Sequence, residues 1–182
     1  MHILKELPTK SLILKPLIID YAEDYARHFI DYRVIRYLSD AVPWPYPKHG
    51  IKDFIQNIIV PQQGTERFCY GLFLKTNSQI LIGCIDLWRE PKPENRGFWL
   101  GYDYWGNGYM TEACREINRL AFEDLGFNIL YFSNAVDNQR SSRIKQKTGA
   151  RFLKRIPASF VDPNMTQAEL WELCKLDWEK NL

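Results

Sequence analysis

Apolar residues alternate or cluster over short stretches in parts of this chain and recur every third and fourth position in others, and the switches outline its elements. Leu12-Ile13-Leu14 reads as a short strand closed by Pro16. Asp20 is placed to cap a helix running to about Tyr32, with Tyr21, Tyr25, His28 and Phe29 toward one side and Glu23 and Asp24 in the first turn. A second short helical piece is expected over 34–38. Ala41-Val42-Pro43-Trp44-Pro45-Tyr46-Pro47 then excludes helix and favours a stiff extended loop. Ile51, Phe54, Ile55, Ile58 and Ile59 share one face of another helix, ended by Pro61. Residues 68–75 and 80–88 read as strands joined by a tight turn at Thr76-Asn77-Ser78.

A loop with Pro91 and Pro93 leads to an aromatic-rich strand over 96–102. Met110, Ala113, Cys114, Ile117, Leu120 and Ala121 then repeat at helical spacing, and Gly126 marks the stop. Residues 128–136 look like a mid-sheet strand, apolar in part on both faces. The segment 138–148 is bounded like a helix, with Asn138 at the cap and Gly149 just past the end, yet Ile144 is its one aliphatic residue. Strands over 150–156 and 169–176 finish the chain. The order is β-α-α-β-β-β-α-β-α-β-β. A helical crossover after the central strand implies a parallel neighbour, whereas the hairpins before it are antiparallel. The expected class is α/β (α+β), a mixed, twisted, mostly antiparallel sheet with helices on both faces.

Composition narrows the class further. The 182 residues suit one domain, 1–182, and 46% hydrophobic with 25% charged residues is an ordinary globular balance. A net charge of +2 supplies no reason for a nucleic-acid partner. The cysteines at 69, 84, 114 and 174 form no C-x-x-C pair, which suggests reduced thiols in a cytoplasmic protein. No signal-like start or membrane-length apolar run is visible, so no membrane association is expected. His2, His28 and His49 lack metal spacing, and no metal is expected.

Candidate chemistry centres on Trp105-Gly106-Asn107-Gly108. Two glycines between a strand and a helix can take positive φ and bare backbone N–H groups. The first helical turn adds unpaired amides and the positive end of the macrodipole, so a phosphate could be held by backbone alone. The spacing lacks the Lys-Ser/Thr of a P-loop and the third glycine of a dinucleotide fingerprint, so it does not by itself separate a phosphate site from a plain turn. From Arg140 to Arg155 there are seven basic residues and no acid, either a solvated face or the border of something anionic.

Two segments resemble the GNAT superfamily of acyl-CoA-dependent N-acyltransferases, and within it the RimJ/RimL-type group. They are Gly97-Phe-Trp-Leu-Gly101 continuing through Tyr104-Trp-Gly-Asn-Gly-Tyr-Met-Thr-Glu-Ala113, and Asn138-x-x-Ser141-x-Arg143-Ile144-x-x-Lys147-x-Gly149. The resemblance implies a sheet splayed beside its central strand, with acetyl-CoA in the slot. Amides of Trp105, Gly106, Asn107, Gly108, Tyr109, Met110 and Thr111 would hold the pyrophosphate. The backbone of Trp99, Leu100 and Gly101 would pair with the pantetheine arm, Asn138 would bond that arm, and Ser141 would lie near the sulfur. Arg143 and the other basic residues would neutralise the phosphates.

Two departures stand out. Asp103 occupies a position where the superfamily often has Gln or Arg, and Lys145 stands where its tyrosine acid is common. The tyrosine's role would pass to Ser141, to water or to the product amine.

The implied activity is acetyl transfer from acetyl-CoA to a primary amine, a peptide N-terminus or a small molecule, directly in a ternary complex. A non-catalytic CoA- or RNA-binding module on the same fold is the alternative, and a homodimer is left open. Asp86 and Glu94 are the carboxylates near strand ends that could act as base; Asp86 could equally be structural or an acceptor anchor. Trp44 and Tyr46 either pack on the core or wall the acceptor pocket, with Asp86 and Trp88 as further acceptor-side candidates.

Overall fold

The computed structural model describes residues 4–91 and 94–181; His2 and Pro93 lie outside the described residues. Strands β1 (Leu7–Pro8), β2 (Leu12–Pro16), β3 (Arg67–Leu74), β4 (Asn77–Trp88) and β5 (Arg96–Leu100) form one sheet in that order. Strands β6 (Ile129–Ala135), β7 (Arg151–Pro157) and β8 (Gln167–Cys174) form a second, with β8 in the middle. Every laddered pair is antiparallel. The expected splay is therefore complete: among the described residues no ladder joins β5 to β6, and the mixed sheet resolves into two antiparallel ones.

Helices cover both faces, as expected. On one side lie α1 (Ala22–Phe29), α2 (Tyr32–Ile35) and α3 (Gly50–Phe54), the last continued by a wider turn, Ile55–Ile59, and by α4 (Val60–Gln62). Their apolar residues pack with Cys69, Phe73, Cys84 and Trp99 of the first sheet. On the other side lies α5 (Tyr109–Arg119), whose Met110, Ala113, Cys114 and Ile117 share a core with Phe68 and Leu87 of one sheet and Phe132 and Trp171 of the other. This common core holds the two sheets together where hydrogen bonds do not. Helix α6 (Gln139–Lys147) and a terminal α7 (Lys175–Glu179) complete the described chain.

Local details differ from the pattern in interpretable ways. Asp20 falls inside a 3₁₀ turn, Ile19–Tyr21, so α1 starts one residue later than a cap at Asp20 would set, without a side-chain cap. Helix α1 also stops before Tyr32, because Asp31 caps α2 and its carboxylate accepts from the Arg33 N–H at 2.9 Å.

Glu112, in the first turn of α5, does more than complement the helix dipole. Its carboxylate accepts from the amides of Ser11 (2.5 Å) and Leu12 (3.2 Å) and from the Thr9 hydroxyl, fastening the β1–β2 hairpin to the helix. Hydrogen bonds to a charged group contribute about 1.5–3 kcal/mol each at most, and these share one carboxylate. Glu112→Ala should therefore lower stability by roughly 2–3 kcal/mol. In urea this should appear as a lower midpoint at unchanged slope.

Candidate active site

The cleft between the sheets begins where side chains replace backbone pairing. Asn95 N–H donates to the Tyr131 carbonyl at 3.1 Å, and Tyr131 N–H returns to Asn95 Oδ1 at 2.8 Å. Further along β6, the Ser133 amide has no strand carbonyl to bond and donates to Glu94 Oε2 at 2.7 Å, joined there by its own hydroxyl. Beyond this point β5 and β6 separate around a cavity of about 780 Å³. That volume is ample for a small-molecule ligand.

One end of the cavity is the glycine turn. Gly106 (φ +84°) and Gly108 (φ +82°) take the left-handed conformation, and a Cβ at either would meet no protein atom within 4 Å. Asn107 braces the turn from outside, donating from Nδ2 to the carbonyls of Tyr104 and Trp105, both at 3.2 Å. The first bond of α5 runs from Glu112 N–H to the Gly108 carbonyl. Among the described residues, no amide from 106 to 111 donates to a backbone carbonyl. Tyr109, Met110 and Thr111 line the cavity beside these amides. Asp103 does not line it and is exposed, so the acid at this unusual position adds no negative charge to the cavity wall at the turn.

The wall along β5 is partly used. Gly101 N–H bonds the Ile82 carbonyl at 2.8 Å, and Trp99 pairs with Cys84, so the polar groups of Trp99 and Gly101 face β4. By strand alternation, those of Phe98 and Leu100 face the cleft. The Leu100 carbonyl is taken by the Trp105 indole at 2.7 Å. The free groups on this edge are thus the Leu100 amide and the backbone of Phe98. The Trp105 ring in turn carries the Arg140 guanidinium at 4.9 Å, which ties α6 to the turn.

Helix α6 explains its odd sequence. Asn138 caps it, accepting from the Ser141 N–H at 3.2 Å, and Gly149 follows it at φ +86°. Its inward face is polar: Ser141, Ser142 and Lys145 are its buried residues. Ser142 donates to Glu169 at 2.6 Å and receives from Asn134 at 3.0 Å. Lys145, only 2% exposed, donates to Ser141 Oγ at 2.7 Å. Asn138, Ser141, Arg143, Lys145 and Lys147 all line the cavity. Burial, reinforced by the nearby Arg96 guanidinium, pushes the Lys145 amine down to about 7. Arg96 is equally buried, bonds Asn118 at 2.5 Å and stacks on Phe132 at 3.8 Å. Among the described residues, five basic ones but only two acids, Asp40 and Glu94, line the cavity, which suits a polyanion.

Of the two candidate bases, only Glu94 lines the cavity. Asp86 sits on the α1–α3 side of β4, paired with Arg67 at 2.8 Å, its carboxyl raised to about 6 by burial against the pull of Arg67. Trp88 stacks with the same Arg67 at 5.3 Å. Neither Asp86 nor Trp88 lines the cavity, because their strand is separated from it by β5.

The proline loop also stays outside. Trp44 is 43% exposed and rests on Tyr32, while Tyr46 packs on Phe29 at 5.5 Å. This side of the cavity is lined instead by Tyr37, Leu38, Ser39, Asp40 and Phe160. The Val161 N–H bond to Leu38 and the Ser39–Phe160 bridge hold this wall in place. Nothing in the sequence pattern announces it, since it joins two irregular segments more than a hundred residues apart. Among the described residues, no group of three His, Cys, Asp or Glu is placed to hold a metal ion. Cys114 is buried beneath the cavity, and burial raises its thiol, so it offers no ready thiolate.

Residues 11–151 match the family described as "Acetyltransferase (GNAT) domain". The chain belongs to the GNAT acetyltransferase family. Over 86 residues it is 30% identical to the Bacillus subtilis (strain 168) protein named "Putative ribosomal N-acetyltransferase YdaF", and the match spans just under half of each chain, 46%. Two solved structures share the fold. RimL, a ribosomal L7/L12 alpha-N-protein acetyltransferase in complex with coenzyme A, gives a TM-score of 0.78 at 14% identity, covering 93% of this chain and 98% of that one. A ribosomal-protein-S5-alanine acetyltransferase from Vibrio fischeri also gives 0.78 at 14% identity, covering 96% and 98%. At these identities the structural likeness is one of fold. The names belong to the RimJ/RimL-type group that the two sequence motifs of this GNAT chain resemble.

The cavity of this GNAT domain fits acetyl-CoA on its own chemistry. It combines a turn that keeps Cβ atoms out of open space, unpaired amides at a helix start, an unfilled strand edge and a basic wall. Among the described residues no helix is long and apolar enough to cross a membrane.

Proposed function

We propose that this protein is an acetyl-CoA-dependent N-acetyltransferase that moves the acetyl group directly to a primary amine within a ternary complex. The observation that carries the reading is the cleft between β5 and β6. An anion-binding turn closes one end of it, and a carboxylate and a Ser–Lys pair flank the other.

When bound, acetyl-CoA supplies an activated acyl carbon and a thiolate leaving group. The amides from 106 to 111 would hold its pyrophosphate, helped by Arg140, Arg143 and Lys147. The open edge at Phe98 and Leu100 would receive its extended arm as it would an added strand. Glu94, oriented by Ser133, takes the proton that the attacking amine loses. Ser141 holds its hydroxyl toward the leaving side. Tyr37, Asp40 and Phe160 border the route by which the amine arrives.

The family resemblance and the names of the relatives favour a peptide N-terminus as acceptor. Chemistry agrees: an N-terminal amine, with a pKa of about 7.7–8, is partly neutral at pH 7, while a lysine at about 10.4 is not. The unpaired cysteines suit a reducing compartment, and we place the reaction in the cytoplasm.

A thiol-release assay with acetyl-CoA across short peptides, polyamines and aminoglycosides tests the reading. Release dependent on an amine, with peptides carrying free N-termini as the best class, is expected. CoA binding without release on any amine would instead mark a non-catalytic CoA-binding module.

A further inference from the structure

A cation at position 145 is the feature of the cavity that transfer of an acetyl group leaves unexplained. Lys145 lies in the inner face of α6, 2% exposed, where a helix of ordinary amphipathicity would place an apolar residue. Among the described residues no carboxylate bonds it. Its one hydrogen bond among the described residues goes to Ser141 Oγ, one helical turn earlier, at 2.7 Å. Its ammonium also lies 5.5 Å from the Phe98 ring, on the strand whose free edge opens to the cleft. The ordinary cost of burying a lysine this way is high, and a bond to a neutral hydroxyl does not offset it.

We propose that Lys145 is the proton source for the leaving thiolate, acting through the Ser141 hydroxyl. This rests on the acetyl-transfer reading above. As the C–S bond breaks, the electron pair stays on sulfur and Ser141 Oγ gives its proton to it. Ser141 regains a proton from Lys145 Nζ, which becomes a neutral amine. The proton that Glu94 removes from the attacking amine returns to Lys145 through solvent, so the cycle neither gains nor loses protons. Ser141 is the group that touches the sulfur; Lys145 sets the charge and proton inventory behind it.

The surroundings tune this source. Arg96 on β5 opposes the charge of Lys145, while Glu94 before β5, Cys114 on α5 and Glu169 on β8 favour it. Burial dominates, and the outcome is an amine poised near neutrality at about 7 instead of the usual lysine range. An acid poised near the operating pH both carries the proton and gives it up readily. Arginine could supply the charge but not the proton.

The linkage sign follows from the direction of the shift. The folded value lies below the unfolded one, so the unfolded chain binds more protons between about pH 7 and about pH 10.4. The buried charge thus destabilises the fold fully below about pH 7, and that penalty is relieved as pH rises through this window.

The test compares the full chain with Lys145→Met and Lys145→Arg in three measurements: CoA affinity by calorimetry, kcat and KM between pH 6 and pH 9, and Tm of the ligand-free protein over the same range. Both variants should bind CoA within about twofold of the parent while kcat falls on the order of 100-fold. The parent's rate, corrected for amine ionisation, should decline as pH rises through about 7, a limb that both variants lack. Ligand-free Lys145→Met should melt above the parent at pH 6, with the gap narrowing toward pH 9. Three results overturn the proposal: Lys145→Met keeping its rate, Lys145→Arg restoring it, or a Tm gap that does not change with pH. A parent that neither binds CoA nor releases thiol overturns the acetyl-transfer reading itself. An active parent with an equally active Lys145→Met removes the proton source alone.

Discussion

Gly108→Val should lower CoA affinity by more than 100-fold while the protein remains folded. Gly108 stands at φ +82° immediately before α5, and a Cβ there would project into open cavity with no protein atom within 4 Å. Two costs add. A β-branched residue held in the left-handed region costs roughly 1–3 kcal/mol, part of which the chain escapes by shifting the turn. That shift rotates the amides from 106 to 111 away from a common focus, and the new side chain occupies the space the pyrophosphate would take. At 1.4 kcal/mol per tenfold, losing a few aimed hydrogen bonds to a charged group accounts for the affinity change. Gly106→Val should behave similarly, since its φ is +84° and its surroundings are as open. Calorimetric titration with CoA beside a melting curve separates the effects. Affinity within threefold of the parent in both variants would place the phosphate site elsewhere.

Glu94→Gln should cost kcat on the order of 100-fold and leave the KM for acetyl-CoA nearly unchanged. The substitution preserves shape and leaves an oxygen to accept the Ser133 N–H, so the mouth of the splay stays pinned. Only the capacity to take a proton is lost, and general-base removal of this kind has an effect of 10²–10⁴-fold. A loss confined to kcat marks an interaction used in the transition state rather than in binding. Asp86→Asn is the useful contrast. Asp86 stands behind β5 with Arg67, outside the cavity, so its change should appear in stability more than in turnover. The reverse pattern, a silent Glu94→Gln and a dead Asp86→Asn, would move the base to β4 and require the amine to reach it past Gly97.

The structure also places the proline loop away from the cavity. Prolines on both sides of Trp44 and Tyr46 imply a rigid loop but leave open whether its rings pack on the core or wall a pocket, because rigidity says nothing about direction. Tyr32 and Phe29 satisfy those rings from α2 and α1, and the cavity is bordered by Tyr37 to Asp40 and by Phe160. Two irregular segments meet there through a few backbone bonds, and local propensity does not encode such a meeting.

By itself the sequence determined the elements whose cause is local. Short apolar runs set β3 and β4, spacing set the stripe of α5, and glycines fixed the turn at Gly106 and Gly108 and the stop at Gly149. Motif resemblance carried the family, because both motifs lie in such locally defined turns and helix starts. Tertiary structure decided everything that depends on what an element meets. Whether β5 and β6 pair or part is settled by Glu94 and Asn95 taking the bonds a ladder would use. Whether Asp86 or Glu94 reaches the cleft depends on where the sheets are placed, which leaves Asp86 on β4 behind β5 and Glu94 at the mouth of the splay. The burial of Lys145 belongs to the same class. A lysine in a polar helix reads as solvated until Arg96, Phe98 and Ser141 close around it, since burial of a charge is a property of its neighbours and not of its own sequence.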